Sequence, residues 1–363
     1  MAKGVVLMSD FLESLVKDLA DENTTLAVEG KSSAEFSSFI DTGSYVLNAV
    51  LSGSLYGGVP NNKVTAFAGE TSTGKTFFVL SVIAQFLKDN EEGGVIYFDT
   101  ESAVTNEMLQ VRNIPLHSLV KSEPDTIEKF RHTALQIIDR YLEQDPEERK
   151  PMLMVLDSLG QLSSTKEIVD TAEGKETRDM TKAQVLKAAF RVLSLKLAKA
   201  GIPLIVTNHV YAVVGSYIPQ KEMSGGSGLK YSASLIALLS KRKERVDKEI
   251  VGNFIKVKME KSRISRENKE VEVLLRYETG LDRYYGLVDL GVEAGIFKKA
   301  GNRIQLPGGS KVYEKVMLTT PSEYFTPDIM DQIEEYVQGE FKYGMWGETE
   351  EEIVEEPTEE PTE

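Results

Sequence analysis

The sequence predicts an α/β protein: a mostly parallel, twisted sheet with helices on both faces, a short N-terminal helix before it and a small C-terminal module after it. Three observations predict this. Short β-rich runs alternate with helical stretches from about residue 37 to 285. A glycine-bounded motif, residues 69–76, lies between one of those strands and a helix. A further apolar strand, residues 151–157, ends in an acid, Asp157.

The elements follow in chain order. Residues 8–20 place Leu12, Leu15, Val16 and Leu19 on one stripe of an amphipathic helix, with Ser9 or Asp10 as its cap. Residues 22–36 are polar and small and read as a linker, so 1–36 forms a helix-and-linker unit. Strands are expected at 64–68, 95–98, 153–157 and 203–207, with helices near 75–89, 125–143 and 181–200. After 235, the runs SLIALLS, FIKVKME and VEVLLRY are close enough in sequence to add antiparallel strands. Residues 286–345 form the small C-terminal module, ending in a helix over 327–338. Residues 346–363 are an acidic tail, too polar to offset its ordering entropy and therefore expected to be disordered.

Composition narrows the chemistry. The chain has 363 residues, enough for about two domains. It has no cysteine, which excludes disulfides, thiol catalysis and Cys-based zinc sites. Only three histidines occur, His117, His132 and His209, too few to favour a multi-histidine metal centre. No apolar run approaches the ~18 residues a membrane span needs, and the first residues carry no signal-like apolar segment, so a cytoplasmic protein is expected. Taken alone, the net charge of −15 argues against nucleic acid as a partner. Its distribution removes that objection: residues 348–363 hold nine Glu and no basic residue, whereas 241–269 hold eleven Lys or Arg against five acids.

Gly69-Glu70-Thr71-Ser72-Thr73-Gly74-Lys75-Thr76 matches the phosphate-loop pattern in full. Glycines let backbone N–H groups wrap around phosphate, and the following helix N-terminus adds partial positive charge. Lys75 reaches the outer phosphates and Thr76 ligates Mg²⁺, so ATP and Mg²⁺ are the expected ligands. Asp157 completes the metal site as the acid at a strand's C-terminal end. The strand 95–98 runs into Asp99-Thr100-Glu101, and either acid is placed to activate a water. His209 follows the strand 203–207, where it can sense the γ-phosphate. Two polar segments, 168–180 and 210–228, each follow a core strand. The second mixes Tyr211, Tyr217, Lys221 and a glycine cluster, which suits single-stranded nucleic acid.

The ordered set GETSTGKT, IYFDTES, LMVLDSLGQL, TNHVYAVVG, MSGGSG and EKSR resembles the RecA-type strand-exchange recombinases, and is most similar to the UvsX recombinases of large tailed phages. The resemblance covers about 38–300 and implies a RecA-like P-loop ATPase core at 37–285. It implies that Glu101, rather than Asp99, activates the water, and that His209 couples nucleotide state to the following loop. It implies DNA-binding loops at 168–180 and 210–228, with Arg178, Lys182, Arg191, Tyr211, Val213, Val214, Met223, Gly225 and Gly226 as DNA contacts. Lys261 and Arg263 match a basic pair that reaches into the neighbouring subunit's nucleotide. Met108 stands where the family commonly stacks a Tyr on adenine, and Tyr284 or Tyr285 is the aromatic expected to help. The implied activity is DNA-stimulated ATP hydrolysis driving pairing and strand exchange between single-stranded and homologous duplex DNA. The implied partners are further copies in a helical filament, a single-strand-binding protein and a recombination mediator. A ring-forming helicase of the same fold and a nucleotide-binding switch are the alternatives.

Overall fold

The structure is a computed structural model that describes residues 8–19, 24–26, 38–175, 181–212, 221–224, 227–246 and 249–343. The first helix, α1 (Met8–Leu19), already begins before Ser9 and Asp10. Those two residues therefore lie inside its first turn and do not cap it. Leu12, Leu15 and Leu19 on its stripe are exposed.

Next come β1 (Phe39–Ile40), α2 (Tyr45–Ser52), β2 (Val59–Pro60), β3 (Val64–Gly69), α3 (Lys75–Asp89), β4 (Gly94–Asp99), α4 (Asn106–Gln110), β5 (Leu119–Ser122), α5 (Ile127–Leu142) and β6 (Met152–Asp157). Then follow α6 (Thr165–Ala172), α7 (Lys182–Ala200), β7 (Leu204–Ala212), β8 (Lys221–Met223), α8 (Ser227–Ser232), β9 (Leu235–Val246), β10 (Glu249–Ser262), β11 (Glu270–Arg276) and β12 (Gly280–Leu281). The described chain ends with α9 (Leu287–Glu293), a small sheet of β13 (Lys298–Ala300), β14 (Arg303–Gln305) and β15 (Lys311–Val312), and the helices α10 (Glu314–Thr319), α11 (Pro321–Tyr324) and α12 (Pro327–Phe341).

The main sheet has the order β12-β11-β10-β9-β3-β7-β6-β4-β5, with β8 added to β7. The strands from β9 to β5 are mutually parallel. Here one expectation changes. The run SLIALLS, in β9, pairs parallel with β3 and antiparallel with β10. It is reached from β8 through α8, whereas β10 follows it by a tight connection that only antiparallel strands allow.

The four central strands are apolar on both faces. Odd and even positions feed different cores: Val95, Tyr97, Leu153 and Val155 pack with α2 and α3, while Ile96, Phe98, Met154 and Leu156 pack with α5 and α7. This is why these strands read as continuous hydrophobic runs. Ile333 and Val337 of α12 join the first of these cores, and Glu334 accepts hydrogen bonds from Ser54 Oγ (2.6 Å) and Leu55 N (2.7 Å) just after α2.

Both expected loops contain regular structure. Residues 168–172 belong to α6, whose start is fixed by a capping box between Ser164 and Glu167. In 210–228, β7 continues to Ala212, β8 pairs back on it, and α8 begins at Ser227. The polar composition of both segments hid their local order: a capped helix and a short strand need few apolar residues.

Candidate nucleotide site

β3 ends at Gly69 and α3 begins at Lys75, so residues 70–74 turn at the C-terminal edge of the parallel strands. A Cβ on Gly69 would lie 2.8 Å from Thr73 Oγ1 and 2.9 Å from the Leu239 carbonyl, so no other residue fits there. Thr73 Oγ1 donates to the Glu70 carbonyl at 2.9 Å. Ser72 and Gly74 both adopt left-handed φ, and Glu70, Thr71 and Ser72 are exposed. Lys75 is buried and donates to the carbonyls of Gly69 (3.1 Å) and Glu70 (3.0 Å). Burial pushes the Lys75 ammonium below its ordinary pKa, partly offset by Asp157 and Glu101. A buried cation closed on loop carbonyls is poised to turn to a phosphate. Thr76 is half-buried in the first turn of α3, and Lys241, from β9, donates to the Ser72 carbonyl.

Strand register assembles the rest. His209 lies beside Gly69 and Asp157 lies beside Asp99. His209 Nδ1 is 3.4 Å from Lys75 Nζ, and its Nε2 is 3.1 Å from Glu101 Oε1. An ammonium only donates, so Nδ1 accepts and the Nε2–H tautomer donates to Glu101. Ser158 Oγ also donates to Glu101 Oε1, at 2.6 Å. Burial tends to raise the Glu101 pKa, but the hydrogen bonds from Ser158 and His209 and the nearby Lys75 charge hold it below the usual range. Glu101 is thus a carboxylate tied through one histidine to the loop lysine.

The other acid of that turn is used differently. Asp99 is buried and accepts from the N–H groups of Ala103 (3.2 Å) and Val104 (3.1 Å), shaping the turn. Asp157 is buried too, accepting from Tyr97 Oη at 2.7 Å and from Thr207 Oγ1. With both carboxylate oxygens held, Asp157 presents a fixed charge. Thr76 plus one oriented carboxylate suits a cation that keeps most of its waters and takes phosphate oxygens, the habit of Mg²⁺. Tyr97, Ser158 and Thr207 were missed in the sequence reading. Their signal was adjacency, since Ser158 follows Asp157 and Thr207 precedes His209 by two.

His209 also connects to the segment after it. Ser224 N donates to the His209 carbonyl (2.9 Å), and Asn208 Nδ2 donates to the Ser224 carbonyl (2.9 Å). The exposed Tyr211 ring lies 6.3 Å from the His209 ring, and Met223 is register partner to Val210. Lys182 pairs with Glu167 of α6 at 3.1 Å, whereas Arg191 is exposed midway along α7. Arg178, Val213, Val214, Gly225 and Gly226 lie outside the described residues.

Lys261 and Arg263 stand elsewhere. Lys261 pairs with Ile236, which pairs with Ala66, three residues before Gly69. At ~3.3 Å per residue, that places the pair about 10 Å down the sheet, toward the opposite edge from its own phosphate loop. Lys261 Nζ donates to the last carbonyls of α8, Lys230 (2.6 Å) and Tyr231 (3.3 Å), and Arg263 is exposed.

Tyr284 stands among other aromatic rings. It packs against Tyr45 (5.4 Å between centroids) and Phe325 (5.8 Å), because the Asp282 side chain caps the N–H groups of Tyr284 and Tyr285 and fixes that turn against α2 and α11. The backbone of Met108 is linked instead to that of Tyr277. Arg112 joins the two, donating to the Met108 carbonyl (3.0 Å) and the Tyr277 carbonyl (3.4 Å).

The comparisons with known proteins agree with this architecture. The family model described as the RecA N-terminal domain matches residues 10–282. The chain is 27% identical over 296 residues to the "Recombination and repair protein" of Enterobacteria phage T4, covering 81% of this chain and 73% of that protein. It is 32% identical over 267 residues to "Protein RecA" of Rhizobium leguminosarum bv. viciae, covering 72% of this chain and 71% of that protein. A matched phosphate loop, a sheet of this order and a family match across most of the chain lead to one conclusion: this chain belongs to the RecA family.

Proposed function

We propose that the protein is a strand-exchange recombinase that polymerises on single-stranded DNA, pairs it with homologous duplex DNA and hydrolyses ATP as it does so. The observation that carries this reading is the path Lys75–His209–Glu101, which joins the phosphate loop to the start of segment 210–228. ATP at residues 69–76 draws Lys75 from its carbonyls toward the outer phosphates. His209 then loses its Nδ1 partner, and the strand that carries Tyr211 and Ser224 feels the change. Glu101, held anionic, accepts a proton from the attacking water. Thr76 and Asp157 would hold Mg²⁺, which would supply charge neutralisation at the phosphates.

Lys261 and Arg263 act on the nucleotide of an adjacent subunit, since their own loop lies toward the other edge of the sheet. To do so, Lys261 leaves the α8 carbonyls. ATP hydrolysis therefore depends on assembly. DNA is held by backbone and stacking contacts from the loop segments, Tyr211 among them, so sequence preference is weak. Among the described residues, no helix is long and apolar enough to cross a membrane. The setting is cytoplasmic, that of a bacterial host if the gene is a phage's. A single-strand-binding protein and a mediator are the expected helpers.

The test is strand exchange between circular single-stranded and homologous linear duplex DNA with ATP and Mg²⁺. Joint molecules and DNA-stimulated ATPase are expected. ATPase without joint molecules would refute the recombinase reading, and closed rings without filaments in electron micrographs would favour the helicase.

A further inference from the structure

The Asp157 carboxylate is held from both sides. Tyr97 Oη donates to its Oδ2 at 2.7 Å, and Thr207 Oγ1 donates to its Oδ1. β6 lies between β4 and β7, so each neighbouring strand supplies one donor. Register explains the fit. Tyr97 is paired with Val155, two residues before Asp157, and a phenol is long enough to reach that far forward. Leu156 is paired with Val206, so Thr207 stands level with Asp157, where a short hydroxyl suffices. Tyr97, Val155 and Ile205 belong to the core packed with α3, so the side chains of Asp157 and Thr207, two residues on, face the helix that carries Thr76.

Tyr97 and Thr207 are fully buried, and Asp157 nearly so. A hydroxyl is costly to bury unless it has a partner, and phenylalanine and valine would fill the same two places without one. Both hydroxyls are spent on one carboxylate. That group offers about four lone-pair sites, two on each oxygen. One site on each oxygen is taken, from opposite sides, so the carboxylate plane is fixed and is not free to close on a cation with both oxygens.

We propose that Tyr97 and Thr207 are positioning residues that set the cation preference of the nucleotide site: each holds one oxygen of Asp157, and together they favour Mg²⁺ over Ca²⁺. The inference rests on the reading of Thr76 and Asp157 as the residues that would hold Mg²⁺. Its chemistry follows from how the two cations treat carboxylates. Mg²⁺ gives up its waters reluctantly and accepts a carboxylate as one charged neighbour among them. Ca²⁺ takes six to eight oxygens and binds carboxylates directly, with one oxygen or both. A carboxylate pinned at both oxygens serves the first and withholds from the second the closure it would gain.

The probe is Mn²⁺, followed by its paramagnetic resonance signal in the full chain with a non-hydrolysable ATP analogue and displaced by Mg²⁺ or by Ca²⁺. Tyr97→Phe and Thr207→Val should each weaken Mg²⁺ about tenfold, as loss of a partner behind a metal ligand does, and weaken Ca²⁺ less, so that the Ca²⁺-to-Mg²⁺ affinity ratio rises by about fivefold or more. Thr207→Ser keeps the hydroxyl and should keep the wild-type ratio. The two Thr207 variants carry the comparison alone should Tyr97→Phe not fold. An unchanged ratio in Thr207→Val, or a Thr207→Ser ratio that moves with it, would overturn the proposal and leave the hydroxyls as partners of a buried charge. The underlying reading fails separately: Mn²⁺ held no more tightly by the wild-type complex than by the nucleotide alone would refute the metal site itself.

Discussion

Glu101 takes hydrogen bonds from Ser158 (2.6 Å) and His209 (3.1 Å), and both favour its charged form. Its pKa is held below the usual range, so its carboxylate is present above that range and lost only as pH falls through the lowered value. The acid limb that Glu101 sets in hydrolysis should therefore lie below the ordinary carboxylate range. Ser158→Ala removes one of the bonds and should move the acid limb of the ATPase pH profile upward. A profile that does not move would show that Ser158 does not tune Glu101. Glu101→Ala should keep ATP binding and lower turnover by ~10²–10⁴-fold, as loss of a general base does. Full turnover in that variant would remove Glu101 from the mechanism. The sequence left Asp99 and Glu101 open on spacing alone. The fold separates them, because Asp99 is spent on the N–H groups of residues 103 and 104.

At the scale of elements, α8 joins the end of segment 210–228 to Lys261. A Cβ on Gly228 would lie 2.9 Å from Lys187 N and 3.1 Å from Lys187 Cα, so the start of α8 is pressed on the backbone of α7. Its end accepts from Lys261. Gly228→Ala should displace the helix and destabilise the protein by about 1–3 kcal/mol, read by chemical denaturation. It should also weaken single-stranded DNA binding, because α8 anchors the end of segment 210–228. Stability and DNA binding both at wild-type levels would show that α8 is free to shift. Helices and strands of the core were legible from period and length, as in α3, predicted at 75–89 and found at Lys75–Asp89. Elements α6 and β8 were not. Both depend on a cap or on a neighbouring strand rather than on their own hydrophobicity.

For the whole molecule, charge and assembly are the variables. Lys241, Arg242 and Lys243 are exposed on β9, and Arg263 is exposed beyond β10, whereas the nine Glu of 348–363 lie outside the described residues. We expect that tail to compete with DNA for the basic surface. Deleting 346–363 should strengthen duplex binding and lessen its salt sensitivity, measured by titration at two salt concentrations. Unchanged binding would reduce the tail to a docking or solubility element. Mixing tests the subunit interface. Glu101→Ala and Lys261→Ala proteins, each inactive alone, should recover ATPase when combined, because some interfaces then hold an intact Glu101 and an intact Lys261. No recovery would place Lys261 outside a shared site.

The sequence by itself determined the α/β class, the phosphate loop, the acid-ended strand and the split of charge between body and tail. These are local facts: a period, a glycine motif and a composition, each written within a few adjacent residues. Only the tertiary structure decided which acid faces His209, that Tyr284 packs on Phe325, and that Arg112 stands on Phe77 beside Tyr277. Those outcomes depend on strand register and on turns that bring together residues as much as 165 positions apart, and no local pattern encodes them.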